Sequence, residues 1–114
     1  MLTSDLLFKA KVVNSILSKN IEEALELLSQ RYRVAKPNLK VGMPKRYSKK
    51  RACYVTKKQT IHVSDREVLR NPCVILHEFY HHLRNFTDAH GGIEKYAQRF
   101  AEDYLQAYRA LGKT

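Results

Sequence analysis

Asn71-Pro72 is the feature that most constrains how this chain folds, because it opens a long stretch with no other helix breaker. Asn is a favoured N-cap, and Pro is tolerated at the first helical position because its missing N–H would have no intrahelical partner there. Val74, Leu76, Phe79 and Leu83 recur at helical spacing behind it. The pattern predicts a helix from this pair to about Phe86. Thr87 to Gly92 then reads as a turn, with Gly91-Gly92 supplying conformational freedom. A last amphipathic helix is expected from Ile93 to about Leu111.

Upstream, Ser4 or Asp5 is suited to cap a first helix carrying Leu6, Leu7, Val13, Ile16 and Leu17. Asn20 followed by Glu23 resembles a capping box, which predicts a second helix from Ile21 with Leu25 and Leu28 on its buried face. The two segments also read as one bent helix. Pro37, Gly42 and Pro44 all fall between Tyr32 and Arg51, so that region reads as a short strand near Leu39–Val41 and then a loop. Ala52–Thr56 and Thr60–Ser64 are β-rich segments separated by Lys57-Lys58-Gln59, a hairpin pattern. Cys53 and Val55 share one face, as do Ile61 and Val63. The expected class is α+β in a single domain over residues 1–114: N-terminal helices, a small three-stranded sheet, and two C-terminal helices.

Hydrophobic residues make up 44% and charged residues 28%, which excludes a disordered chain. Charges interrupt the first thirty residues, so neither a membrane-spanning stretch nor a signal-peptide core is expected. Cys53 and Cys73 form no CxxC pair and read as reduced core residues of a cytoplasmic protein. Charge is unevenly placed: residues 31–58 hold eleven Lys/Arg and no Asp/Glu, although the whole chain is only +10. Such a segment suits an acidic partner, either nucleic acid or an acidic peptide; a solvated Lys-rich hairpin is the plainer alternative.

The chemistry concentrates in His77-Glu78-Phe79-Tyr80-His81. Residues at i and i+4 stack on one helix face, so His77 and His81 can grip one metal ion. Neutral imidazoles suit Zn2+ with an open coordination position. Glu78 is placed to take a proton from a metal-bound water and hand it to a leaving amine. A third ligand is needed. The metzincin spacing would require Gly and His where Arg84 and Thr87 stand, so it is excluded. Glu94, His90, Asp88 and His82 remain. His82 points about 100° away around the helix and suits solvent contact or a hydrogen bond near the cleft. Glu94 is favoured, because Ala97 and Ala101 lie on its face and permit close approach of the two helices.

HExxH followed by Glu94-Lys95-Tyr96-Ala97-Gln98-Arg99-Phe100-Ala101 resembles the gluzincin arrangement, in which a Glu on a following "glutamate helix" completes the site. The short chain looks most like the minigluzincins, single-domain archaeal zinc metallopeptidases with a zincin-like fold. The same run is similar to that of ImmA/IrrE-type peptidases, where Asn usually stands at the position of Gln98. The resemblance spans about Ile61–Leu105. It implies that His77, His81 and Glu94 bind zinc and that Glu78 is the general base in peptide hydrolysis. It also implies that strand Thr60–Ser64 forms the upper rim of the cleft, where an extended peptide pairs with it. Members of the group can be latent zymogens; here Lys113-Thr114 would make only a very short plug, and the N-terminal helices are another candidate cover.

Two other readings stay open. In an SprT-like, DNA-associated protease the third ligand would be His90, in the pair His90-Gly91, and segment 31–58 would bind DNA. A non-catalytic, basic nucleic-acid-binding domain would instead use the histidines in a structural zinc site with four protein ligands.

Overall fold

The computed structural model describes residues 3–87 and 94–111. In chain order it contains α1 (Ser4–Leu17), α2 (Ile21–Tyr32), β1 (Asn38–Val41), β2 (Ala52–Val55), β3 (Thr60–Val63), α3 (Pro72–Thr87) and α4 (Glu94–Ala110), with short 3-10 segments at Lys45–Tyr47 and Arg66–Arg70. Four helices and a three-stranded mixed sheet make an α+β fold, in agreement with the sequence pattern. No helix among the described residues is long and apolar enough to cross a membrane.

Local chemistry explains the helix boundaries. Thr3, rather than Ser4 or Asp5, caps α1: its Oγ1 accepts from the Leu6 N–H at 3.1 Å. Asp5 instead occupies the first turn, where an acid is favoured by the helix dipole, and binds Arg31 at 2.7 Å. The chain breaks at Lys19, held at φ 67°, so α1 and α2 are separate helices. Asn20 does not close a capping box with the backbone. Its amide donates to Glu23 Oε1 at 2.8 Å, and Ser15 Oγ donates to the same oxygen at 3.3 Å, tying α1 to α2 through side chains.

The sheet order is β1-β3-β2, with β1 parallel and β2 antiparallel to β3. Thr60–Val63 is therefore the central strand and cannot be the open rim of a cleft; β2 is the edge strand on the hairpin side. Arg51 O accepts from Ser64 N at 2.8 Å. Alternation along an antiparallel ladder then turns the peptide groups of Cys53 and Val55 toward β3 and leaves those of Ala52 and Tyr54 on the open edge. Residues side by side share a face, so Leu39, Ile61 and Tyr54 form one row and Val41, Val63 and Ala52 the next. Ile61 and Val63 on that face are fully buried. Cys53 and His62 belong to the opposite face.

One apolar core joins all the layers: Val12, Val13 and Ile16 of α1, Leu25 and Leu28 of α2, Ile61 and Val63 of β3, Ile75, Leu76 and Phe79 of α3, and Tyr104 of α4. Ala97 and Ala101 are completely buried, so α4 presents only methyl groups to its neighbours at those positions. Tyr104 packs against Phe100 with ring centroids 5.0 Å apart, and its hydroxyl meets that of Tyr32 at 2.6 Å. Burial pushes the Tyr104 phenol far above its usual range, so it stays neutral.

His82 does not contact solvent; it is a core residue with no exposed surface. Its Nε2 is 2.6 Å from the Ala35 carbonyl oxygen, which can only accept, so Nε2 carries the proton. Nδ1 therefore accepts from the Tyr54 hydroxyl, also at 2.6 Å, and Asn85 donates to that hydroxyl at 3.4 Å. Burial holds the imidazole below its ordinary pKa, which keeps it neutral. This latch fastens α3 to β2 and to the segment after α2. His82→Ala should remove these bonds from the part-buried Ala35 carbonyl and Tyr54 hydroxyl and should open a cavity, costing about 3 kcal/mol. Urea denaturation of the variant checks this: an unchanged midpoint would mean that the latch contributes nothing.

Candidate metal centre

α3 begins as its sequence predicts. Asn71 Oδ1 accepts from the Val74 N–H at 3.2 Å, and Pro72 takes the first helical position. Ile75, Leu76 and Phe79 then commit one side of the helix to the core, which leaves His77 and His81 half-buried at its margin. Their ring centroids are 5.2 Å apart. Glu94 opens α4 directly opposite. Its Oε1 lies 2.6 Å from His77 Nε2 and its Oε2 lies 3.2 Å from His81 Nε2.

One ligand atom from each of His77, His81 and Glu94 lies within 4.8 Å of the others, so the three form a group that could hold a metal ion. The donor set can be tested against geometry. A tetrahedral ion about 2 Å from each donor keeps the donors about 3.3 Å apart. The two imidazole–carboxylate distances, 2.6 and 3.2 Å, lie just below that value, and the Glu94 side chain, 79% exposed, is free to move outward by the few tenths of an ångström that an ion would need. Two imidazole nitrogens and one carboxylate oxygen are a fitting zinc set, and a three-donor group leaves one position open. Asp88 and His90, the other candidate ligands, lie outside the described residues. His82 is turned away into the core and does not join the group.

The electrostatics separate two neighbouring carboxyls. Glu78 is 9% exposed, and burial raises its pKa from 4.5 to about 7; His81 and Lys50 oppose the rise, and the Glu94 charge adds to it. Burial also pushes Glu94 upward, but its hydrogen bond to His77 and the nearby His81 outweigh that and hold it below the usual carboxylate range. The site thus pairs an ionised carboxylate suited to ligation with a second one poised to exchange a proton near neutrality.

A cleft of about 220 Å³ runs beside these residues, lined by Arg51, Ala52, Cys73, Val74, His77, Glu78 and Gln98. No residue of α1 or α2 lines it. Those helices supply the core, so they are not a cover over the cleft; a plug formed by the last residues lies outside the described part. Two tyrosines that could have served the site are committed elsewhere: Tyr54 is engaged by His82 and Asn85, and Tyr104 is buried against Tyr32. Three lining residues were given no site role by the motifs: Arg51, Cys73 and Gln98, the last of which lies within the Glu94–Ala101 run. Helical spacing marks two of them, since Cys73 is four residues before His77 and Gln98 four after Glu94; Gln98 Nε2 is 3.7 Å from Cys73 Sγ. Both cysteines are free, as expected, although Cys73 is a half-buried cleft residue rather than a core one. No protein-family model, no curated protein and no solved structure matches the chain.

The raised Glu78 pKa has a consequence for the metal-free protein. A folded-state value above the ordinary one means that folding favours the protonated acid. The associated stability is fully present below about pH 4.5 and is lost as the pH rises through about 7. The loss amounts to on the order of 3 kcal/mol. In chelator-treated protein, Glu78→Gln should therefore melt higher than the parent at pH 8, with the gap closing toward pH 5. Thermal melts across that range check it; an equal gap at both ends would mean that Glu78 does not titrate there.

Proposed function

We propose that this chain is a zinc-dependent endopeptidase of the minigluzincin kind, with His77, His81 and Glu94 as metal ligands and Glu78 as general base and acid. The observation that carries the reading is the convergence of two imidazole Nε2 atoms and a carboxylate beside a buried carboxyl whose pKa is about 7, next to a cleft that His77 and Glu78 line. Zinc, when bound, polarises a carbonyl and lowers the pKa of a coordinated water to about 7. Glu78 takes the proton of the attacking water and delivers it to the departing amine, a cycle suited to a group that titrates near the working pH. Imidazoles on consecutive turns of α3 hold the geometry, and the buried face beneath them fixes the helix.

The substrate in this reading is an extended peptide. The open edge of β2, with the peptide groups of Ala52 and Tyr54 turned outward, offers the backbone partners for an added strand. That role belongs to β2 and not to Thr60–Ser64, because both sides of the latter are already paired. The two free thiols suit a reducing, cytoplasmic compartment.

Purified protein supplemented with zinc should carry one zinc per chain by elemental analysis, and a metal-free result would sink the proposal. Glu94→Ala should weaken zinc binding by more than the roughly 10–100-fold typical of losing an outer-shell partner, whereas His90→Ala should leave it unchanged. The reverse pattern would favour the SprT-like ligand set. Glu78→Gln should keep the zinc and lose cleavage of a denatured-protein or peptide library by at least about a hundredfold. A zinc site with no cleavage by the parent protein would favour the structural, nucleic-acid-binding alternative.

A further inference from the structure

The basic segment is not spread evenly over the molecule. Its densest part, Lys45-Arg46-Tyr47-Ser48-Lys49-Lys50-Arg51, is exposed throughout and runs directly into the N-terminal end of β2. Arg51 lines the same cleft as His77 and Glu78. Among the described residues its guanidinium makes no ion pair and no side-chain hydrogen bond. Lys50 sits over the Tyr47 ring, 5.6 Å from its centroid, and its charge acts on Glu78, Glu94 and Cys53. Arg51 therefore stands on the cleft, with Lys50 next to it in the chain and near enough to act on Glu78, where the strand that would pair with a substrate begins.

We infer that Arg51 and Lys50 are specificity-determining residues that select peptides carrying Asp or Glu near the scissile bond. This rests on the reading of the cleft as a peptide site and goes beyond it by naming the substrate class. A peptide lying along the β2 edge would pass Arg51 before reaching the metal group. A carboxylate there gains a fork of guanidinium donors that has no competing protein acid. A Lys or Arg at the same place faces two like charges, so the rim both attracts one class and repels the other. Of the nearby acids, Glu78 is buried and Glu94 is engaged by His77 and His81, so neither pairs with Arg51. The observations favour a peptide over nucleic acid because Arg51 lines a cleft of about 220 Å³ beside an open strand edge. Elsewhere the chain is close to neutral, with no second basic run to track a phosphate backbone.

The test uses full-length, zinc-loaded Glu78→Gln protein, so that binding is read without turnover. Fluorescent peptides alike except for Asp, Ala or Lys flanking the central residues are titrated by anisotropy. The aspartate peptide should bind about tenfold more tightly than the lysine peptide at low salt, with the ratio falling toward about twofold at 0.5 M salt. Adding Arg51→Glu, or separately Lys50→Glu, should reduce or reverse the ratio; two variants guard against one failing to fold, which circular dichroism reports. Equal binding of all three peptides, with the parent protein still cleaving the alanine peptide, would overturn the inference and leave the peptidase reading standing. No binding and no cleavage of any peptide would remove both. An oligonucleotide that binds where the aspartate peptide does not would overturn the inference in favour of nucleic acid.

Discussion

The site depends on how closely α4 can lie against α3. Glu94 is the first residue of α4, so its carboxylate meets His77 and His81 only if the helix axis stays near. Ala97 and Ala101 make that possible, because both are fully buried and neither projects beyond a methyl group. Farther along, Tyr104 fills the space that the alanines do not, and its hydroxyl bond to Tyr32 of α2 and its edge contact with Phe8 of α1 tie α4 to the N-terminal helices. Small residues near the metal group and a large one behind it set the angle at which α4 approaches. The apolar core thus determines a distance of 2.6 Å between two polar groups at the surface.

Burial does a second job by making two carboxyls unlike each other. Glu78 and Glu94 are near enough to influence one another, yet their pKa values move apart. Glu78 is desolvated on α3 beside the core and is raised to about 7; Glu94 stands out from the start of α4 between two imidazoles and is lowered. A ligand must stay ionised and a proton carrier must change state, so the divergence suits the two roles proposed for them. The same contrast separates adjacent histidines. His81 lies half-buried beside Glu94, while His82, one position on, is wholly buried between Ala35 and Tyr54.

Much of this was legible before folding. The Asn71-Pro72 start, the i, i+4 histidines, the Glu94-Ala97-Ala101 stripe and the hairpin around Lys57–Gln59 are local patterns. Each depends on residues within a turn or two of one another, where spacing alone dictates which side chains share a face. What was not legible involves partners far apart in sequence. His82 bonds to a carbonyl 47 residues away, and nothing in its neighbours announces this. The place of Thr60–Val63 at the sheet centre depends on β1 joining from the other side, in register Leu39 with Ile61, a pairing that no hairpin signal encodes. That Arg51 lines the cleft beside Glu78 is likewise set by where β2 lies against α3, which no local pattern encodes.

The sequence by itself determined the candidate metal-binding group: two imidazoles on one helix face, a carboxylate between them in sequence, and another acid at the head of the next helix. Those are consequences of helical period and residue type. The tertiary structure alone decided which strand borders the cleft, which histidine is buried, how far Glu78 is desolvated, and where the basic segment meets the site. The physical reason is that burial and strand order are sums over long-range contacts, so they become definite only when the core has closed around them.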